Sequence, residues 1–271
     1  VKDYPKAPEG LLIERDDAVV RLTLDRPERR NALTDDIVHA LTEAIEAAGS
    51  DEAARVIVLT GKGDHFCSGF DLGQRAAGAQ PERPRAGSIQ RRMRYQVNRL
   101  IPTMLETQVP IVTAARGWIV GLGLNLVLAS DFAFVADDAR LWAPFTELGF
   151  TPDSGASWLI PRLAGVARAK EMLLLARKIT GADAAAWGLV HRALPGAHLD
   201  AAAAALAGEL AVAPTVAVGL SKLLLHRGLA TDLDHHLADE AFAMEVSTRS
   251  EDFAELNRAK REGRDPHLGG R

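Results

Sequence analysis

Three times the chain carries a glycine-bearing turn beside an apolar stretch, at residues 61–72, 117–125 and 148–155. Runs with strand character alternate with helical segments around these turns. That order points to a layered α/β fold with a mainly parallel sheet. RVIVLT at 55–60 carries four consecutive apolar residues, 56–59, and ends at Gly61, the pattern of a strand buried on both faces. Pro110 introduces a second such run at 111–115, and 131–136 gives a third. Val20, Leu22 and Leu24 instead alternate with Arg21, Thr23 and Asp25, the period of a half-buried strand. With 11–15 they read as a strand pair around a turn at Asp16 and Asp17.

Helix signals fill the intervals. Thr34 is placed to cap a helix, with Asp35 and Asp36 near its positive end. Ile37, Ala40, Leu41, Ala44 and Ile45 form its apolar stripe. Helices are predicted at 89–105, from the 117–123 turn to near Ser130, and at 166–176. Four more follow at 198–212, 214–226, 231–249 and 250–262, with strand character after residue 165 only at 189–192. Residues 75–88, rich in Ala, Gly, Pro, Gln and Arg, read as a mobile loop. The expected layout is a core over 1–195 and a helical region over 196–271.

Composition removes several classes. The 271 residues, 47% of them hydrophobic, suffice for a core without staples. The single Cys67 cannot form an intrachain disulfide, which fits a reducing compartment. Lys and Arg number 32 against 36 Asp and Glu, so a general nucleic-acid binder is disfavoured. The longest apolar stretch, 119–129, holds two glycines and Asn125 and is too short to span a bilayer. The first residues, Val1-Lys2-Asp3-Tyr4-Pro5, lack the pattern of a signal peptide, so the expected location is the cytoplasm.

Familiar catalytic templates are missing: G-x-x-x-x-G-K-[ST], G-x-G-x-x-G after a strand, H-E-x-x-H, a Cys pair and G-x-S-x-G. His235 and His236 are adjacent and do not share a helix face, so no metal site is expected. Cys67 reads as a small buried thiol. The glycine turns can do one thing well. A helix start presents backbone N–H groups that can stabilise a developing anion.

At these turns the sequence resembles the crotonase (enoyl-CoA hydratase/isomerase) superfamily. The likeness starts with Asp25-Arg26-Pro27 and Asn31-Ala32-Leu33, then Val58-Leu59-Thr60-Gly61 and Phe66-Cys67-Ser68-Gly69-Phe70-Asp71-Leu72. It continues through 117–125, Ala129-Ser130-Asp131, 148–155, and Ile179-Thr180-Gly181 to Trp187-Gly188-Leu189-Val190. The resemblance implies a crotonase-like spiral of ββα units whose C-terminal helices build a homotrimer or a dimer of trimers. It implies an acyl-CoA substrate, hence coenzyme A as part of the substrate and no separate cofactor. By motif position the thioester oxygen would meet the N–H groups of Phe70 and Leu122. Arg26, Arg29, Arg30, Asn31, Ala32 and Leu33 occupy the family's CoA-binding segment. The family's usual Lys after the first turn is Gly73 here.

The resemblance also bears on the reaction. Many hydratases of the family use two Glu to activate water. Asn125 and Phe145 hold those positions here, and neither can serve. Asp153 falls where isomerase-type members carry one acid, which suffices for a 1,3-proton shift. Phe145 and Leu148 would desolvate its carboxyl group, raising its pKa. Glu147 is a second candidate acid. The alternative use of Asp153 is as N-cap of a helix through 156–159. The leading expectation is a double-bond isomerase. The alternatives are a hydratase or acyl-CoA hydrolase in which Asp153 or Glu147 activates water, and a non-catalytic acyl-CoA or RNA binder. Arg91, Arg92 and Arg94 form the basic cluster an RNA would need.

Overall fold

A computed structural model describes residues 3–71, 73, 85, 87–95 and 97–271, with backbone only for 89, 92, 94 and 95. The loop expected at 75–88 therefore lies largely outside the described residues, as do the side chains of Arg92 and Arg94 and residue Leu72.

The chain begins as a hairpin, β1 (Leu11–Asp16) and β2 (Val19–Leu24), paired antiparallel from Leu11↔Leu24 to Asp16↔Val19. The two turn residues are thus Asp17 and Ala18, not Asp16 and Asp17; Asp17 takes the left-handed conformation. Thereafter the fold repeats one unit. A strand enters a large sheet, a shorter extended piece enters a second layer, and a helix returns. In the first turn, β2 leads to Leu33 and α1 (Asp35–Gly49); in the second, β3 (Val56–Gly61) leads to Cys67 and Phe70. The third is β4 (Ile111–Ala115), β5 (Trp118–Val120) and helix 122–128; the fourth is β6 (Phe132–Ala136), β7 (Arg140–Trp142) and helix 156–174. The large sheet runs β1-β2-β3-β4-β6 and closes on β9 (Arg192–Leu194), every pair after the first parallel. The second layer joins β5, β7 and β8 (Ile179–Thr180), extended by parallel bridges Cys67↔Ile119 and Leu33↔Phe70.

Burial explains the patterns. Ile57 and Leu59 face the main core with Ile37, Leu41 and Ile45 of α1. Val56 and Val58 face the opposite side, with Val112, Ala114 and Phe134. That second face is covered by Leu199, Ala203 and Ala207 of a C-terminal helix, 199–211, which therefore belongs to the sheet's own packing. Thr34 caps α1 as expected, its Oγ1 accepting from Ile37 N at 3.2 Å. The predicted helix at 89–105 is instead α2 (Ser88–Tyr95), a 3-10 turn over Val97–Arg99 and α3 (Leu100–Glu106). Pro102 sits in the first turn of α3, where a missing N–H has no intrahelical role, so a helix restarts there.

After β5 come α4 (Leu122–Leu128) and α5 (Ala156–Leu174), the latter broken at Gly165. Then follow α6 (Gly181–Ala186), α7 (Leu199–Ala211), α8 (Thr215–Gly228), α9 (Leu233–Thr248) and α10 (Glu251–Glu262). The strand expected at 189–192 starts only at Arg192. Leu189 and Val190 are buried where α6 ends, with Leu189 N bonded to Ala184 O. Helix α8 docks through Lys222, whose Nζ donates to Met104 O (2.8 Å), Val109 O (3.3 Å) and Asp131 Oδ2 (2.7 Å). No single helix among the described residues is long and apolar enough to cross a membrane.

Candidate active site

The first two glycine turns meet backbone to backbone. Cys67 N donates to Trp118 O (3.1 Å), and Val120 N donates to Cys67 O (2.9 Å). Gly69 has φ +90°, and a Cβ there would lie 2.9 Å from Val120 O and 3.7 Å from Leu122 N. Glycine is required on both counts. On the other side, Leu33 N donates to Gly69 O and Asp71 N to Leu33 O, both at 2.8 Å. Phe70 is therefore held between the Leu33 bridge and the start of α4. Gly121 is the N-cap of α4, so Leu122 opens the helix and its N–H has no intrahelical acceptor.

The third turn also meets α4. Ser154 and Gly155 both have left-handed backbones, φ +49° and +90°. Asn125, fully buried in α4, donates its Nδ2 to Asp153 O (3.2 Å) and Ser154 O (3.0 Å). The N-cap of α5 is Gly155 and there is no side-chain cap bond. The capping alternative for Asp153 is thereby overturned: its carbonyl, not its carboxylate, accepts from Ala156 N (3.0 Å).

All three turns border one cavity of about 440 Å³. Phe70, Leu122 and Asp153 line it together, as do Phe145 and Leu148. Phe145 is buried and meets Phe150 edge to face at 5.8 Å, while Leu148 is 52% exposed, so the apolar cover is one-sided. Two other expectations change. Asn125 is not a lining residue but stands behind the third turn. Glu147 is exposed and also does not line the cavity. Leu148 N bonds to Pro144 O and Gly149 N to Thr146 O, a tight turn that puts Phe145 and Leu148 on one face. Sequence reasoning missed Ser68, Val97, Phe150 and Thr151 as lining residues, although three of them lie inside or beside the quoted turns. Ser154 also borders a second, larger cavity of about 770 Å³ between α3, the start of α5 and the end of α8.

The segment that the resemblance assigns to CoA divides in two. Arg26 Nη1 donates to Ala32 O (2.7 Å) and Asp71 Oδ2 (3.1 Å). Asn31 Oδ1 accepts from Arg26 N (2.8 Å), and its Nδ2 donates to Lys62 O (3.0 Å) and His65 O (2.7 Å). Ala32 and Leu33 are buried. These groups stitch the loop rather than face outward. Arg29 and Arg30 are exposed, and their carbonyls accept from Ser68 Oγ (3.2 Å) and Ser68 N (2.9 Å), which sets them beside the cavity. Gly73 is exposed.

Burial pushes the Cys67 thiol up to about 12, so it stays protonated and unreactive. His235 bonds the Asp232 carboxylate, and no cluster of three metal-ligating side chains exists among the described residues.

Residues 14–271 match the sequence pattern of the family described as enoyl-CoA hydratase/isomerase. The chain is 38% identical over 250 residues to the probable enoyl-CoA hydratase of Rhodobacter capsulatus, covering 92% of this chain and 94% of that protein. It is 32% identical over 263 residues to the 1,2-epoxyphenylacetyl-CoA isomerase of Escherichia coli, covering 97% and 99%. The crystal structure of an enoyl-CoA hydratase from Bacillus anthracis superposes with a TM-score of 0.89 at 29% identity, covering 97% of this chain and all of the other.

Proposed function

Since the chain belongs to the enoyl-CoA hydratase/isomerase family of acyl-CoA enzymes, we propose that it shifts a double bond in an enoyl-CoA thioester, with Asp153 as the single acid/base. The observation that carries this reading is the cavity's inventory of acids. Asp153 is the one carboxylate lining it among the described residues. Asn125 and Phe145 occupy the two positions where the resemblance would place a hydratase's Glu pair.

The proposed chemistry is a 1,3-proton shift. The thioester oxygen is taken to accept from the N–H groups of Phe70 and Leu122. Asp153 removes a proton from carbon 2 of a 3-enoyl thioester, and the electron pair moves onto that oxygen. The oxygen pair then re-forms the carbonyl, the enolate 1,2 pair becomes the 2,3 double bond, and the former 3,4 pair takes the proton back from Asp153 at carbon 4, so nothing is gained or lost. Loss of one backbone donor would cost about 3 kcal/mol of barrier. Phe145, Phe150 and Val97 limit water at the dienolate. The Escherichia coli relative, itself named an isomerase, supports the reading.

Coenzyme A enters only as part of the substrate, and Arg29 and Arg30 are the side chains best placed for its phosphates. Leu225 on α8, Leu229 just after it, and Leu233, Leu237 and Met244 on α9 are exposed, and Phe242 is 71% exposed. Such an apolar face supports assembly into a trimer or a dimer of trimers. A cytoplasmic location goes with the same proposal.

One second reading has specific support: the relatives named hydratases, which favour water addition with Asp153 as its activator. A panel of enoyl-CoA esters in isotopic water separates the two. Isomerisation exchanges only hydrogen, whereas hydration adds oxygen. Asp153→Asn is expected to abolish exchange while retaining CoA-ester binding, and Glu147→Gln to keep parental rates. Full turnover in Asp153→Asn sinks the assignment.

A further inference from the structure

We propose that Asn125 is a positioning residue that locks the Asp153 turn onto the helix bearing the Leu122 N–H; the assignment rests on the acid/base reading of Asp153. Asn125 is the fourth residue of α4 and is wholly buried, with its own N–H bonded to Gly121 O at 3.1 Å. Its amide donates to two successive carbonyls of the third turn, Asp153 O and Ser154 O. Those carbonyls flank a left-handed Ser154, a conformation a non-glycine residue keeps only when its surroundings hold it.

The amide's orientation is fixed. Exchanging its nitrogen and oxygen would set Oδ1 against both carbonyls. In the orientation observed, Oδ1 is buried without a hydrogen-bond partner among the described residues. The side chain thus holds the turn while its own acceptor goes unused, which native interiors rarely tolerate without a reason. A Glu here would bring only acceptors when ionised and could not make these two bonds. One side chain therefore sets the spacing between the proposed oxyanion donor and the carboxylate. Displacements of about 1 Å at such a spacing can cost on the order of a hundredfold in rate.

The test follows hex-3-enoyl-CoA turnover in deuterated water, with hexanoyl-CoA as a binding probe. Asn125→Leu removes both donors and Asn125→Asp is isosteric; Asp153→Asn is run alongside. Both Asn125 variants are expected to lose about a hundredfold in kcat, with KM and hexanoyl-CoA affinity within about threefold of the parent. A folded Asn125→Leu with parental kcat, or with a change in KM alone, overturns the proposal. If that variant does not fold, Asn125→Asp is judged by the same criteria. Loss in Asp153→Asn with parental kcat in the Asn125 variants rejects positioning alone. Turnover by Asp153→Asn rejects the acid/base reading and this inference with it.

Discussion

Gly123 lies against Cys67 so closely that a Cβ on the glycine would sit 2.6 Å from the Cys67 Cβ and 3.0 Å from its carbonyl oxygen. The contact joins the second residue of α4 to the first glycine turn. It fixes how far the Leu122 N–H stands from Phe70.

Gly123→Ala should therefore push α4 off the turn. Overpacking of this kind costs about 1–3 kcal/mol, which a urea midpoint will register. Turnover should fall more than stability implies, because the two N–H groups separate. Cys67→Ala in the same chain should not restore activity, since the Cβ and carbonyl contacts remain. Full rescue by that second change would contradict the backbone origin of the effect.

Asn31→Ala should act on stability before it acts on substrate affinity. It deletes three hydrogen bonds to backbone groups and leaves a left-handed non-glycine residue unsupported. A loss of about 3 kcal/mol is expected. KM for a CoA ester should stay near parental in the folded fraction. A large KM change with an unchanged melting temperature would assign Asn31 to CoA binding instead.

Lys222 should prove an anchor for α8. Burial lowers its pKa, against the opposing pull of Asp131. Lys222→Met takes the partner cation from Asp131, leaving it Ile111 N and His226, and should cost about 3 kcal/mol. Asp131→Asn removes the contact that holds the lysine charged, so its folded pKa falls further below the unfolded one. The unfolded chain then binds more protons, and the variant's stability should rise with pH toward the ordinary lysine range. Melting temperatures across alkaline buffers that fall in parallel for parent and variant would refute this.

Cys67 should shape the alkaline limit. Its thiol ionises near 9.0 in an ordinary setting and is pushed up to about 12 here by burial. Tyr4 is pushed up to about 12 as well, first by burial and then by Asp51. Above pH 9 the unfolded thiol loses its proton while the folded one keeps it, so stability present below pH 9 is lost as pH rises toward 12. Cys67→Ala should show a shallower decline over that window in urea midpoints. Equal slopes would remove Cys67 from the account.

The strongest elements were legible in the sequence for plain reasons. Continuous apolar runs such as 56–59 mark strands covered on both sides, and Thr34 followed by an apolar stripe marks α1. The short strands were not. Trp118–Val120 and Arg140–Trp142 span three residues each, too few for a period to show. Each pairs with a strand from a different turn of the spiral. At the site, Asp153 and the two donor positions came from the resemblance. Glu147 was misplaced because spacing along the chain does not say which face of a tight turn a residue takes. Asn125 looked like a replaced catalytic group, and only the two carbonyls it holds reveal its place.

The large sheet gains its parallel strands in the order the chain is made, β2, β3, β4, β6 and then β9. A nascent chain can therefore add each strand to a partner already in place. Its cover does not arrive on the same schedule. Val56, Val58, Val112, Ala114 and Phe134 wait for Leu199, Ala203 and Ala207 of α7. Until then one apolar face of a growing sheet stands open to other chains. Synthesis stalled before residue 199 should yield aggregates, and a chaperone that shields that face should matter most in this interval.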